Sequence, residues 1–293
     1  MNTKGKLLSL GSIATVIMLA FFACSKDDSI KNDDPALPEG KQQVKLFLTD
    51  DPALFDKVLI DIKSVQVLVD TCDKSKDDDD DDHGHHDNDD SIKCANWQTL
   101  NITPGVYDLL TLRNGADTLL ANGVIPTGKI KRIKIELGAN NSLVKDSVNY
   151  PLSLFPGTQA TIILKLKGGE WDEYQPGRSQ LWLDFDVARS VIKVRDGKFY
   201  LLPVIRLFTI KTTGSLEGKV LPKDAYPVIS VYNATDTSYA IPFFNGEFRV
   251  RGLKEGTYSV FVNASNGYQD TTLTGVEIHR NKETDLKTIN LHK

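Results

Sequence analysis

Apolar and polar side chains alternate along one short segment after another of this chain, and that period of two constrains the fold more than any other feature. Across residues 58–69 the apolar positions are Val58, Ile60, Ile62, Val65, Val67 and Val69, with one slip at Lys63-Ser64. Residues 130–137 set Ile130, Ile133, Ile135 and Leu137 against Lys131, Arg132, Lys134 and Glu136. Residues 44–48, 161–166, 181–187 and 199–208 have the same strand character, with Pro203 marking an edge or a bulge in the last. Successive side chains of a strand point to opposite faces, so alternation means one face buried and one wet, as in antiparallel sheets. A short helix fits only residues 107–114, with a continuation to Leu120, and the turn-like Asn122-Gly123 follows it. Strand upon strand with Gly, Asn and Pro turns between them predicts an all-β sandwich.

With 293 residues, 40% of them hydrophobic, the chain has material for one large or two modest cores. Near Gly214 the strands become shorter and closer, at 215–221, 227–232, 238–244, 247–250, 257–263 and 285–291. Asn245-Gly246 between two of them is a strong hairpin signal. The pattern predicts two antiparallel β-sandwich domains, residues 43–211 and 212–293, behind an N-terminal segment of a different kind.

That segment begins with positive charge at Lys4 and Lys6, runs apolar over residues 7–23 and closes as Phe21-Phe22-Ala23-Cys24. Its shortness, with Ser9, Gly11, Ser12 and Thr15 inside it, makes a permanent transmembrane helix the poorer reading. The pattern resembles a bacterial lipoprotein signal. The resemblance implies cleavage of residues 1–23 and acylation of Cys24, so that lipid holds the chain on a membrane. Ser25-Lys26-Asp27-Asp28 resembles the surface-export signal of Bacteroidetes lipoproteins, which implies an outer-membrane lipoprotein displayed on the cell surface. A plain polar tether would leave it on the periplasmic face. Residues 24–42, polar and carrying Pro35, Pro38 and Gly40, read as a disordered tether.

Two further resemblances concern the body of the chain. Leu48-Thr49-Asp50-Asp51-Pro52, Tyr107-Asp108-Leu109-Leu110 with Asn114-Gly115, Leu183-Asp184-Phe185-Asp186-Val187 and Leu202-Pro203-Val204-Ile205 occur in that order. Together they resemble bacterial lipoproteins carrying domain of unknown function 4382, over roughly residues 43–210, with Asp51 standing where a small residue is expected. In the second half, Gly218-Lys219-Val220, Asn245-Gly246-Glu247-Phe248, Gly252-Leu253-Lys254-Glu255-Gly256-Thr257-Tyr258 and Gly267-Tyr268 resemble the carboxypeptidase regulatory-like sandwich. That prealbumin-like, seven-stranded module implies a spacer or a binding surface and brings no catalytic residues.

The formal charge of −4 gives no reason to expect a nucleic-acid partner. Its distribution is uneven: residues 73–93 hold ten Asp and three Lys, a charge of −7, so everything else carries +3. Within them, six aspartates at 77–82 run into His83, Gly84, His85, His86 and Asp87. Such a run stays solvated because adjacent carboxylates repel, and a cation would relieve the repulsion. Carboxylates suit calcium, and clustered imidazoles suit zinc, copper or nickel. The candidate metal ligands are Asp80, Asp81, Asp82, His83, His85, His86 and Asp87, in a spacing that matches no closed metal motif. A solvated low-complexity insertion and a weak multi-ion binder both stand. Cys72 and Cys94 flank the run, and outside the cytoplasm two such cysteines pair as a disulfide.

No nucleophile elbow, metalloprotease helix or phosphate loop occurs. The histidines outside the acidic run are His279, in an expected exposed turn, and His292 beside the C-terminus. No catalytic residue is assigned. Asp184 and Asp186, two apart on a strand, share a face; an acid pair for glycan chemistry is the sharper reading, and a solvated edge or a pair holding a loop the blander one. Trp171 and Tyr174 lie in the Gly- and acid-rich stretch 168–177, where rings on a loop could stack on sugars or, for Trp171, tuck back onto the sheet. Trp97 is expected in the core. The expectation is a non-enzymatic envelope module that binds a glycan, a protein or divalent cations; a glycan-active enzyme or a structural spacer is the alternative.

Overall fold

In the computed structural model, residues 36–72, 94–166 and 171–293 are described, and Leu37–Lys293 form a single compact unit. The chain enters through β1 (Lys41–Asp51), so the strand begins inside the expected tether, at Lys41. β2 (Lys57–Asp70) is the longest strand and gathers β3 (Ala95–Thr99), β5 (Gly105–Asp108), β7 (Lys129–Leu137) and β8 (Ser142–Lys145) along its edges, with β4 (Asn101–Ile102) and β6 (Thr118–Pro126) lying between them in the chain. There follow β9 (Val148–Leu154), β10 (Thr161–Lys165), β11 (Asp172–Gln175), β12 (Arg178–Asp186), one helical turn α1 (Val187–Ser190), β13 (Val191–Lys193), β14 (Phe199–Leu201) and β15 (Ile205–Phe208). One sheet runs β11-β12-β1-β6-β4 with β15 beside β12; the facing sheet runs β10-β7-β2-β8-β9-β14-β13.

The core between them is what the alternation dictates. Leu46 and Leu48 of β1, Ile60 and Ile62 of β2, Ile133 of β7 and Leu183 of β12 are all buried. Each such side chain contributes about 1.5–3 kcal/mol by leaving water. The slip at Lys63-Ser64 has a structural cause. A β-bulge between Ile62 and Ser64 in the β2–β7 pairing absorbs the extra residue, so Val65 and Val67 still face inward.

Residues 214–291 build a second sandwich: β16 (Gly214–Leu221), β17 (Val228–Tyr232), β18 (Thr237–Ala240), β19 (Glu247–Leu253), β20 (Gly256–Asn263), β21 (Thr271–Ile278) and β22 (Glu283–Asn290). Its sheets run β19-β16-β22 and β18-β17-β20-β21 around Leu216, Ile229, Val231, Phe248, Val260 and Ile278. Gly246 turns the β18–β19 connection with φ +86°; a Cβ there would lie 2.4 Å from the Val220 carbonyl oxygen, so only glycine fits.

Several expectations are corrected. Residues 107–120 are not a helix but the end of β5, a 3₁₀ turn at Leu109–Leu112 started by the Asp108 carboxylate, and the start of β6. Asn122-Gly123 lies inside β6, where β1 on one side and Asn101 of β4 on the other override its turn propensity. Residues 199–208 split into β14 and β15, because Pro203 lacks the N–H a continuous ladder needs. The strand expected at 238–244 stops at Ala240, and β21 was not foreseen. The sheets are mostly antiparallel, yet β1–β12, β9–β14 and β16–β22 pair in parallel.

Candidate functional site

Cys24 and the acidic set Asp80, Asp81, Asp82, His83, His85, His86 and Asp87 lie outside the described residues. The base of the acidic segment is described. Cys72 and Cys94 form a disulfide with Cα atoms 5.5 Å apart, and the Thr71 hydroxyl donates to the Cys94 carbonyl across it (3.1 Å). Among the described residues no group of three or more His, Cys, Asp or Glu could hold a metal ion, and no helix is long and apolar enough to cross a membrane.

The Asp184–Asp186 pair is not a solvated edge, because β12 is flanked by β1 on one side and by β11 and β15 on the other. Both carboxylates are buried, Asp184 at 4% exposure. Arg206, opposite on β15, donates to Asp184 Oδ2 through Nε (3.0 Å) and Nη2 (2.5 Å) and reaches Ser238 Oγ of the second sandwich through Nη1 (2.9 Å). Asp186 caps α1, accepting from the Arg189 N–H (2.9 Å) and pairing with Arg189 Nε (2.8 Å). Arg189 Nη2 in turn donates to the Thr237 carbonyl (2.7 Å). Each acid is thus spent on an arginine that ties the two sandwiches together.

A parallel set of contacts completes this junction. Asp117 Oδ2 accepts from Trp182 Nε1 (2.8 Å) and Arg251 Nη1 (2.7 Å), and Asn114 Nδ2 donates to the Ile241 carbonyl (3.0 Å). Phe47, Trp182 and Phe208 stack in sequence, and the Arg251 guanidinium lies 5.4 Å from the Trp182 ring.

Trp171 and Tyr174 are both half-buried. Trp171 packs against the first core, and Asp172–Gln175 is strand β11 rather than loop, its Asp172 held by Lys211 at 3.0 Å. Tyr174 lies under the Lys45 ammonium, 5.4 Å from the ring centre. Trp97 is not core either. At 36% exposure it stands on the outer face of β3, covered by Lys134 at 4.4 Å. His279 is exposed, as expected, 3.8 Å from Glu255.

The accessible apolar surface is elsewhere. Continuing the β17–β18 register from Ile229↔Ala240 brings Val228 opposite Ile241 and Pro227 opposite Pro242. Neither proline can donate to a ladder, so the pairing ends and the chains part. The gap is a cleft of about 310 Å³ floored by Val220, Val228 and Ile241 and walled by Tyr226, Phe243 and Phe244, with Leu54 of the first sandwich at its side. Phe244 is 83% exposed, Tyr226 70% and Leu54 70%. Lys223 sits 3.4 Å from the Phe244 ring centre, and Asp224 is beside it on the rim. Tyr226 holds the left-handed conformation, φ +44°, which an aromatic residue adopts at a cost. Sequence reasoning missed this site because its residues scatter over 54, 220–228 and 241–246; the signals were the two prolines and the adjacent Phe243-Phe244.

The family model described as Domain of unknown function (DUF4382) matches residues 41–203, more than half of the chain. No curated protein matches. Among solved structures, a cohesin–X-dockerin complex from Acetivibrio cellulolyticus is 21% identical over 27% of this chain and 56% of that one, with a TM-score of 0.23. The minor pilin of Streptococcus agalactiae is 14% identical over 85% and 95%, with a TM-score of 0.21. The shaft pilin of Lactobacillus rhamnosus GG is 12% identical over 86% and 98%, with a TM-score of 0.23. Overlaps this loose assign no role to any residue. The first sandwich, with its ordered blocks from Leu48-Thr49-Asp50 to Leu202-Pro203, is what the family match covers, and this chain belongs to the DUF4382 family.

Proposed function

We propose that the protein is a non-enzymatic module of the bacterial cell envelope, held on the outer membrane by lipid at Cys24 and working by association through its exposed surfaces. The observation that carries this reading is the open aromatic cleft around Tyr226, Phe243 and Phe244, set against acids whose partners are already supplied. A general acid or base needs a proton-accepting atom within reach of substrate. Asp184 and Asp186 are buried and tied to arginines, whereas the cleft offers apolar area with two charges at its rim. The sequence pattern up to Cys24 supports the lipid anchor, and Ser25-Lys26-Asp27-Asp28 supports surface display over the periplasmic face.

Three experiments test the reading. Palmitate labelling of cells should mark the wild type and not Cys24→Ser, and protease shaving of intact cells should remove it; an unlabelled wild type sinks the anchor. Purified residues 37–293 should bind intact envelopes, and Phe244→Asp should abolish that binding. The double substitution Asp184→Asn/Asp186→Asn discriminates the glycan-active enzyme, which would lose turnover of envelope glycans, from a binder, which has none to lose. The ten aspartates and three histidines between the paired Cys72 and Cys94 support a cation-binding role for that segment. Calorimetric titration with calcium, zinc, copper and nickel should then give saturable heat that vanishes when residues 74–92 are deleted.

A further inference from the structure

The cleft has a projection and a depression side by side. Phe244, at the tip of the β18–β19 connection, stands almost wholly in water at the rim of a cavity of about 310 Å³ with apolar walls. That volume is at the small end of what holds a ligand and suits a protruding side chain. Tyr226 spends backbone strain to hold its ring outward beside it, and Leu54 extends the apolar patch onto the first sandwich. Exposed apolar patches of this kind mark association sites rather than ordinary surface.

The rim supplies the argument for the occupant. Lys223 and Asp224 are adjacent and of opposite sign, and both line the cleft. Two-fold symmetry brings one patch against its own copy, so residue i of one chain meets j of the other and j meets i. A surface that carries a knob, a hole, a plus and a minus within a few residues offers each element and its counterpart to that operation, with Lys223 resting on the Phe244 ring and Asp224 accepting from the Tyr268 hydroxyl (3.2 Å) until the copies meet. A sugar would find few partners here, because the lining offers little beyond Lys223, Asp224 and the Tyr226 hydroxyl for hydrogen bonding.

We propose that a second copy of this chain occupies the cleft, each Phe244 entering the cleft of the other and each Lys223 facing the other's Asp224. This rests on the reading of the cleft as an association surface and names its partner: the adhesion is homophilic.

The test is sedimentation velocity on residues 37–293, which contain both cores and the junction, over a concentration series. The wild type should shift from monomer to dimer with concentration. Lys223→Asp and Asp224→Lys, each placing like charges opposite one another, should weaken self-association about tenfold or more, since like-charge juxtaposition costs several kcal/mol. An equimolar mixture of the two variants should recover the dimer, because the mixed pair restores opposite charges. Circular dichroism confirms that each variant is folded, and Phe244→Ser, a surface change, provides an independent loss of the knob. A wild type that stays monomeric at every concentration overturns the proposal, as does a mixture no stronger than either variant alone. A monomer that floats with phosphatidylethanolamine–phosphatidylglycerol vesicles overturns it in favour of a lipid surface. The association reading fails separately, if Phe244→Asp leaves envelope binding unchanged.

Discussion

Asp61 shows how much one buried acid can organise. It sits in the middle of β2, and its carboxylate accepts from the Asn140 N–H (3.2 Å) and pairs with Lys63 (3.0 Å), while its own N–H donates to Asn141 Oδ1 (2.8 Å). These bonds pin the link from β7 to β8 against β2. Burial pushes the Asp61 carboxyl up, but Lys63 and the Asn140 N–H outweigh it and hold the group below the usual carboxylate range. Its stabilising share is therefore complete above the unfolded pKa of about 3.9 and is lost as pH falls through the lower folded value. Urea unfolding at neutral pH and near pH 3 should show the stability gap between wild type and Asp61→Asn narrowing on acidification; a constant gap would refute the assignment. Gly138 belongs to the same knot, since a Cβ there would lie 2.0 Å from Asp61 Oδ2. Gly138→Ala should cost about 1–3 kcal/mol, read as a lower urea midpoint at unchanged slope. Neither residue was legible beforehand. Asp61 looked like one more polar position in an alternating strand, because Asn140 and Asn141, roughly eighty residues away, leave no local mark.

At the scale of elements, the sequence was most informative where periodicity decided and least where neighbours did. The slip in alternation at Lys63-Ser64 coincides with a bulge that only the strand pairing shows, and Asn245-Gly246 announced a turn, since each is a local stereochemical demand. Asn122-Gly123 made the same turn signal and is strand, because pairing on both sides outweighs the propensity of two residues. The disulfide was readable from two cysteines and a compartment. Joining β2 to β3 across residues 73–93, it restricts the unfolded chain, and reduction should lower stability by about 3 kcal/mol in the chain-entropy account. Chemical unfolding with and without dithiothreitol measures this, and an unchanged midpoint would mean that the unfolded chain gains little freedom when the bridge opens.

At the scale of the molecule, the junction decides whether two sandwiches behave as one body. Asp184–Arg206–Ser238 and Trp182–Asp117–Arg251 cross it, with the Phe47–Trp182–Phe208 stack beneath. Calorimetry should show a single cooperative transition in the wild type. Arg206→Ala leaves a buried carboxylate without its main partner and should cost about 3–5 kcal/mol. Combined with Arg251→Ala it should split the transition in two; a wild type already showing two transitions would mean the junction carries little coupling. The alternation of side chains determined by itself that the chain is all-β and that it folds around sandwich cores, because burial of one face is a property of each strand alone. The ordered blocks of the first half determined the family for the same reason, being local in the chain. Tertiary structure alone decided that Asp184 and Asp186 are buried beside arginines that reach the second sandwich. It also decided that Trp171 packs against the first core and that residues 54, 226 and 244 meet at one cleft. Those outcomes depend on which strands become neighbours, and strand order is fixed by packing among distant segments that no short stretch of sequence records.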